Sequence, residues 1–261
     1  MSSRIMGVMA EEVCPDCGGS GWKTRERGGI SCAERCECAK EGRSKRLWQA
    51  AGIPEIYQSA TFDNFDTGDS HAGQELFAVR QKVFTYAHEF PVGPKPGLLI
   101  TGEHGRGKTH LAVAALRRII DKGFQGVFFD YQTLLDRIQS SFDPTSGSTD
   151  KEAYRTALDA EVLLLDELGA RRVSDWVLDV VTSIVTHRYN HRKPLIVTTN
   201  LPDPDAGDSR TMKMADGTTD YRRTLVDFIG ERARSRLFEM CQVVRVSALI
   251  KDYRIRKSIV R

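Results

Sequence analysis

Short apolar runs alternate along this chain with longer segments whose apolar side chains recur at helical spacing. Four runs are apolar on both faces, as strands inside a sheet are; they cover residues 97–101, 126–130, 162–165 and 195–199. A fifth strand-like run covers residues 243–246. Helical spacing is found at residues 40–51, 74–90, 111–116, 134–142, 152–160 and 175–189. The alternation predicts an α/β domain whose parallel sheet is covered by helices on both faces.

A phosphate-binding loop is predicted between the first of these strands and the helix after it. The loop follows the pattern G-x-x-x-x-G-K-T and consists of Gly102, Glu103, His104, Gly105, Arg106, Gly107, Lys108 and Thr109, with His110 next. Glycines let successive N–H groups turn towards an anion, and the helix adds the positive end of its dipole. Lys108 can then reach the β- and γ-phosphates, and Thr109 can bind Mg²⁺. A glycine-rich turn that matches by chance is the alternative.

Polar side chains end the next strands of the predicted sheet. Asp166 can hold Mg²⁺, and Glu167 can orient and deprotonate the attacking water. The alternative is that the two acidic residues simply form a turn exposed to solvent. Asn200 ends the following strand, at the sheet edge where ligands bind. Its amide can contact the γ-phosphate, or it can simply form a turn.

Arg232 and Arg236 lie four residues apart and share one face of a helical segment. An arginine that reaches the nucleotide of a neighbouring subunit stabilises charge on the transferred phosphate. The alternative is that both arginines form ordinary salt bridges on the helix surface. From Arg222 to Arg261 there are eleven Lys and Arg against four Asp and Glu, while the whole chain carries only +3. This excess indicates a polyanionic partner, a neighbour's nucleotide or a solvated basic surface.

An irregular aromatic stretch at residues 57–65 precedes the phosphate-loop strand by one helix. It can sandwich a purine base or serve only as a hydrophobic strap on the core. The sequence leaves both roles open.

Five of the six cysteines lie within the first 38 residues. We predict that Cys14, Cys17, Cys36 and Cys38 form a closed structural Zn²⁺ site, with Cys32 as a spare or substitute ligand. Disulfides, or a redox pair at Cys14 and Cys17, are the alternatives. Because so short a segment buries little core, zinc would supply its folding energy. We expect a zinc-binding module with a linker helix over residues 1–50 and the main domain over residues 51–261.

The composition is that of a globular protein, with 40% hydrophobic and 28% charged residues in a chain of 261. No run approaches the roughly 20 apolar residues of a membrane span, and no apolar signal segment is present. We therefore expect a cytoplasmic protein without membrane contacts.

Together these motifs resemble the bacterial AAA+ helicase loaders of the DnaC/DnaI type and the related IstB-like transposition ATPases. The resemblance rests on the cysteine segments, the phosphate loop, Leu-Leu-Asp-Glu-Leu-Gly-Ala with Ser174-Asp175-Trp176, Thr198-Thr199-Asn200-Leu201, and Gly230-Glu-Arg-Ala-Arg-Ser-Arg-Leu237. The cysteine module favours a loader over an IstB-like protein.

The resemblance implies an ATP-binding domain that self-associates and binds single-stranded DNA, together with a zinc region that contacts the replicative hexameric helicase. Lys108 and Thr109 are then the phosphate and magnesium contacts, Asp166 and Glu167 the Walker B pair, and Asn200 the first sensor. Arg232 would act on the neighbour's ATP, with Arg236 as the runner-up. No helical lid is expected after Leu237, and the polar stretch 203–224 is longer than in the family.

The implied function is ATP-dependent loading of the replicative helicase onto single-stranded DNA during replication initiation or restart. Loops near residues 140–149 and nearby basic side chains would contact the DNA. The alternatives are an IstB-like regulator of transposition and a solitary P-loop kinase or small-molecule binding module. Of these three, only a loader needs to capture a helicase through residues 1–50. If the protein is a solitary kinase or binding module, DNA should not stimulate its ATPase activity.

Overall fold

The computed structural model describes residues 14–18, 20–28, 30–68, 70–142, 148–206, 211–213, 219–246 and 253. The chain forms two compact units that divide between Arg46 and Leu47. This division falls within helix α1 (Glu37–Ala50), which begins before the helix predicted from residue 40.

The first unit contains a β-hairpin that the sequence analysis did not predict. Strands β1 (Trp22–Arg27) and β2 (Ile30–Arg35) pair antiparallel. Their described side chains are largely exposed, and Trp22 is 51% exposed. An exposed hairpin has no buried face, so the apolar alternation that marks a strand is missing.

The second unit contains the predicted α/β domain. In chain order its elements are α2 (His71–Glu89), β3 (Gly97–Thr101), α3 (Lys108–Asp121), β4 (Gly126–Asp130), α4 (Tyr131–Ser140), α5 (Ser148–Asp159), β5 (Val162–Asp166), α6 (Asp175–Asn190), β6 (Leu195–Thr199), β7 (Thr211–Lys213), β8 (Thr219–Tyr221), α7 (Leu225–Met240) and β9 (Cys241–Arg245). The five long strands form one sheet in the order β4-β5-β6-β3-β9, and every neighbouring pair is parallel. Strands β7 and β8 form a separate antiparallel pair within the polar stretch 203–224.

Hydrophobic residues fill both faces of the sheet, as the apolar runs predict. Along β3, Leu98 and Ile100 join a cluster with α2 and α3, whereas Leu99 joins a cluster with α4 to α7. All three side chains are fully buried. The parallel arrangement brings the carboxyl ends of β3, β5 and β6 to one edge.

Two helices begin earlier than predicted because a polar side chain caps the first turn. Helix α2 begins at His71, where the Ser70 hydroxyl accepts a hydrogen bond from the Gly73 N–H. Helix α4 begins at Tyr131, where the Asp130 carboxylate accepts from the Thr133 N–H at 2.8 Å. Such caps satisfy N–H groups that have no partner within the helix.

Parts of three predictions fall outside the described residues. These are the segment 143–147 of the loop predicted to contact DNA, the segment beyond residue 246 in which no helical lid is expected, and parts of the stretch 203–224. Helix α5 begins at Ser148, within the segment predicted to be a loop. Across the described part of the chain, no helix is both long enough and apolar enough to cross a membrane.

Candidate nucleotide-binding site

The phosphate loop connects β3 to α3, as predicted. Gly107 precedes the first turn of α3 with a φ of 80°, a conformation that side chains with a Cβ rarely adopt. A Cβ at this position would also lie 2.6 Å from Cε2 of Phe65. Both the backbone conformation and the space therefore require glycine at residue 107.

Basic side chains surround Glu103 within the loop. Lys108 is buried and its Nζ donates to the Glu103 carbonyl at 2.8 Å. The Glu103 carboxylate forms ion pairs with Arg106 and, at 3.3 Å, with Arg222 Nη1. The contact from Arg222, which lies 119 positions further along the chain, was not predicted from the sequence.

Thr109 and Asp166, the two predicted magnesium ligands, lie in contact. The Thr109 hydroxyl donates to the Asp166 carboxylate, with its oxygen 3.0 Å from Oδ1 and 3.1 Å from Oδ2. Thr198 donates to Asp166 Oδ1 at 2.5 Å and accepts from the Glu167 N–H at 2.9 Å. Burial raises the pKa of Asp166, and the hydrogen bonds from Thr198 and Thr109 oppose that rise. A hydroxyl and a carboxylate oxygen side by side are a donor set that suits Mg²⁺.

Glu167 and Asn200 lie at the mouth of the same site. Glu167 is exposed and has a φ of 56°, which is uncommon for a residue with a side chain. The Asn200 amide nitrogen lies 2.5 Å from Nε2 of His104 in the phosphate loop. Because the amide nitrogen only donates, the His104 Nε2 accepts this hydrogen bond.

These groups line a cavity of about 470 Å³, a volume typical of small-molecule sites. One wall is polar and consists of residues 104–110, Glu167 and Asn200. A second wall comes from residues 55–68, here called the strap, together with Leu76 of α2 and Tyr253. The strap residues that line the cavity are Ile56, Tyr57, Asn64, Phe65 and Asp66. The aromatic stretch 57–65 thus borders the site, as the purine-binding interpretation requires.

Neither Arg232 nor Arg236 lines the cavity of its own chain. Arg232 is exposed on α7, and its carbonyl accepts from Arg236 Nη1 at 3.2 Å. The Arg236 guanidinium lies 5.9 Å from the centre of the Tyr189 ring. Between them in sequence, Arg234 forms two 2.6 Å hydrogen bonds with the buried carboxylate of Asp203, a structural contact that the sequence analysis did not identify.

The four cysteines predicted to bind zinc lie close together in the first unit. The sulfur atoms of Cys14, Cys17, Cys36 and Cys38 all lie within 4.8 Å of one another. None of the six cysteines forms a disulfide. Cys32 is exposed on β2 and is not a member of the group. Four thiol groups at this spacing fit a tetrahedral zinc site.

Comparison with known proteins identifies the family to which the ATP-binding domain belongs. Residues 47–208 match the model of the IstB-like ATP binding protein family. The uncharacterized protein YqaM of Bacillus subtilis is 26% identical over 197 residues, which are 73% of this chain and 59% of YqaM. The replicative helicase loader DnaC of Buchnera aphidicola (subsp. Baizongia pistaciae) is 24% identical over 68% of this chain and 70% of its own length.

A solved structure gives the same result for the fold. The crystal structure of the DnaC helicase loader superposes with a TM-score of 0.57 and 30% identity, covering 74% of this chain and all of that one. The family model covers more than half of the chain, and the solved loader is matched over its whole length. The chain therefore belongs to the IstB-like ATP-binding family, and it is an AAA+ ATPase of the DnaC/DnaI type.

Proposed function

We propose that this ATPase places a hexameric replicative helicase on single-stranded DNA in the cytoplasm, during replication initiation or restart. The observation that carries the proposal is the four-cysteine unit in the same chain as a DnaC-like ATPase domain. The IstB-like resemblance concerns the ATPase part alone, since the family match begins at residue 47. An additional N-terminal unit is what a loader needs in order to hold its helicase.

Within one subunit, the described residues support ATP binding and hydrolysis. Lys108 and the loop N–H groups would hold the β- and γ-phosphates, and Asn200 would contact the γ-phosphate. Thr109 and Asp166 would hold Mg²⁺, which neutralises charge on the phosphates when it is bound. Glu167 is exposed to the cavity and would orient and deprotonate the attacking water.

Arg232 would complete the site of a neighbouring subunit. Its exposure on α7 and its absence from the lining of its own cavity support a role in trans. ATP would then order the assembly by drawing Arg232 to the next subunit, and hydrolysis would release it. Basic side chains facing the DNA would make binding salt-dependent and largely independent of sequence.

Mixed assemblies test the trans arginine. Lys108→Ala protein lacks phosphate binding and Arg232→Ala protein lacks the arginine, so each alone should hydrolyse little ATP. Mixing them creates interfaces with an intact Lys108 site facing an intact Arg232, and ATPase activity should partly return. The same mixture with Arg236→Ala in place of Arg232→Ala shows which arginine acts. No recovery in either mixture would contradict catalysis across subunits.

Helicase capture separates the proposal from a transposition regulator, the second candidate favoured by the IstB-like match. The full chain should retain a replicative helicase on beads and load it onto single-stranded DNA only with ATP. Cys36→Ser protein, which loses one of the four clustered thiols, should lose capture while keeping ATP binding. A chain that captures no helicase but changes duplex DNA together with a transposase would support the second candidate instead.

The four cysteines would hold Zn²⁺ in a closed structural site without an open position for water. The Gly21 N–H lies 3.3 Å from Cys17 Sγ, as expected for a sulfur that accepts hydrogen bonds from the main chain. Zinc in this position would be structural rather than catalytic.

A further inference from the structure

The strap closes the nucleotide cavity without belonging to the sheet. Apart from a short 3₁₀ turn at Glu55–Tyr57, it is irregular. Local hydrogen bonds shape it: the Asn64 side chain accepts from the Thr61 N–H at 2.9 Å and donates to the Ser59 carbonyl at 2.7 Å. Such turns fix the local shape of the strap but do not hold it against the phosphate loop.

Side chains from α2 and α3 attach the strap to the domain by hydrogen bonds to its carbonyls. Arg80 of α2 donates to the Phe62 carbonyl at 2.7 Å, and Arg117 of α3 donates to the Gln58 carbonyl at 3.1 Å. Between these two, His110 Nε2 lies 2.8 Å from the Thr61 carbonyl. Of Arg80, Arg117 and His110, it is His110 that directly follows the phosphate-loop motif, after Thr109.

The contacts of His110 connect the two walls of the cavity. A carbonyl oxygen only accepts, so His110 Nε2 carries the proton and donates to Thr61. The His110 ring also lies 5.2 Å from the Phe65 ring, at an angle of 58°. Phe65 in turn lies against Gly107, where a Cβ would meet its ring. One strap segment thus touches the phosphate loop at residue 107 and the first turn of α3 at residue 110.

We propose that His110 is a positioning residue that fixes the strap at the distance from the phosphate loop that suits a nucleoside. Its hydrogen bond acts on the base and ribose end of the ligand, and the phosphates are held without it. The proposal rests on the ATP-binding role of the cavity and is independent of helicase loading.

Two substitutions that differ by one methylene group test this role. A glutamine side chain can place an N–H near the position of the histidine Nε2, whereas asparagine reaches only the Nδ1 position. His110→Gln should therefore preserve the bond to Thr61, and His110→Asn should break it. The ligands are ATP and inorganic tripolyphosphate, each with Mg²⁺, and both affinities are measured by calorimetry on the full chain.

His110→Asn should weaken ATP binding by about tenfold, the loss expected for one partly buried hydrogen bond. Tripolyphosphate binding should stay within about twofold, because its contacts lie in the phosphate loop. His110→Gln should bind ATP within about threefold of the unmodified protein, since the donor remains. This separation of nucleoside from phosphate is a pattern that a general loss of structure does not give.

Three results would overturn the proposal. They are an equal loss of ATP and tripolyphosphate affinity, unchanged ATP affinity in His110→Asn, and a loss in His110→Gln as large as in His110→Asn. If neither variant binds ATP while the unmodified protein does, hydrogen exchange on the unmodified protein decides. ATP should protect the amides of the strap and tripolyphosphate should not; equal protection by both ligands would refute the role of His110.

Discussion

The Thr198 hydroxyl connects the two acidic residues of the candidate site, because it forms a hydrogen bond with each of them. It donates to the Asp166 carboxylate and accepts from the Glu167 N–H. The first bond stabilises the charged form of Asp166, whose pKa is raised by burial. Thr198 therefore opposes the rise in the pKa of Asp166 and fixes the start of the Glu167 turn at the same time.

Thr198→Val keeps the shape of the side chain and removes both hydrogen bonds. We expect kcat for ATP hydrolysis at neutral pH to fall about five- to tenfold, as for a loss of about 1–1.5 kcal/mol. The pKa of Asp166 should rise further, so the acidic limb of the pH–kcat profile should move to higher pH. Steady-state ATPase measurements over a range of pH provide the check.

Thr199→Val is the matched control, because the Thr199 hydroxyl donates to the Leu168 carbonyl and does not contact Asp166. It should leave the acidic limb in place. An unshifted profile in Thr198→Val would show that this hydroxyl does not set the ionisation of Asp166.

Arg188 joins several elements from the buried side of α6. Its side chain is fully buried and donates to four carbonyls, those of Ala157, Leu158, Ala160 and Pro194. Ala157 and Leu158 lie in the last turn of α5, Ala160 lies between α5 and β5, and Pro194 directly precedes β6. Burial lowers its pKa to about 10, so the guanidinium stays charged at neutral pH.

Arg188→Met should therefore lower the free energy of unfolding by about 3 kcal/mol, because it leaves buried carbonyls without donors. Urea unfolding followed by circular dichroism measures the change. Arg192→Met, on the exposed residue four positions on, should stay within about 0.5 kcal/mol. Equal stability of the two variants would mean that the four carbonyls find other donors.

The elements that the sequence predicts well are those with a strong hydrophobic signal. The buried strands β4 and β6 coincide with the predicted runs because both of their faces are apolar. The hairpin of β1 and β2 has no such signal, since its residues are polar and exposed. Helices begin earlier than predicted where one capping residue, such as Asp130, adds a turn at the start.

In the candidate site, the residues that belong to local motifs could be predicted from the sequence, whereas the contacts between distant residues could not. The phosphate loop and the acidic pair can be predicted from their spacing in the sequence, and Asn200 from its place at the end of the next strand. The bond from His110 to Thr61 joins residues 49 positions apart, and its acceptor is a main-chain carbonyl that every residue has. No sequence pattern predicts such a contact. The ion pair between Arg222 and Glu103 could not be predicted either, because the two residues are far apart in the sequence.

At the scale of the whole molecule, the two units depend on different sources of stability. The second unit has two hydrophobic clusters, one on each face of its sheet. Among the described residues of the first unit, the only buried hydrophobic side chain is that of Cys36. A unit of this size whose described residues form no hydrophobic core needs another source of folding energy, and a metal held by four thiolates can supply it.

Removal of zinc should therefore unfold the first unit and leave the second folded. After treatment with a chelator, we expect hydrogen exchange to accelerate throughout residues 14–46 and to stay unchanged in the sheet strands. Cys36→Ser should reproduce this effect without a chelator and lower the zinc content measured by atomic absorption. Cys32→Ser should change neither quantity, because Cys32 lies outside the cluster. Unchanged protection of residues 14–46 after complete removal of the metal would mean that the hairpin is stable on its own, and the four thiols would then need another explanation.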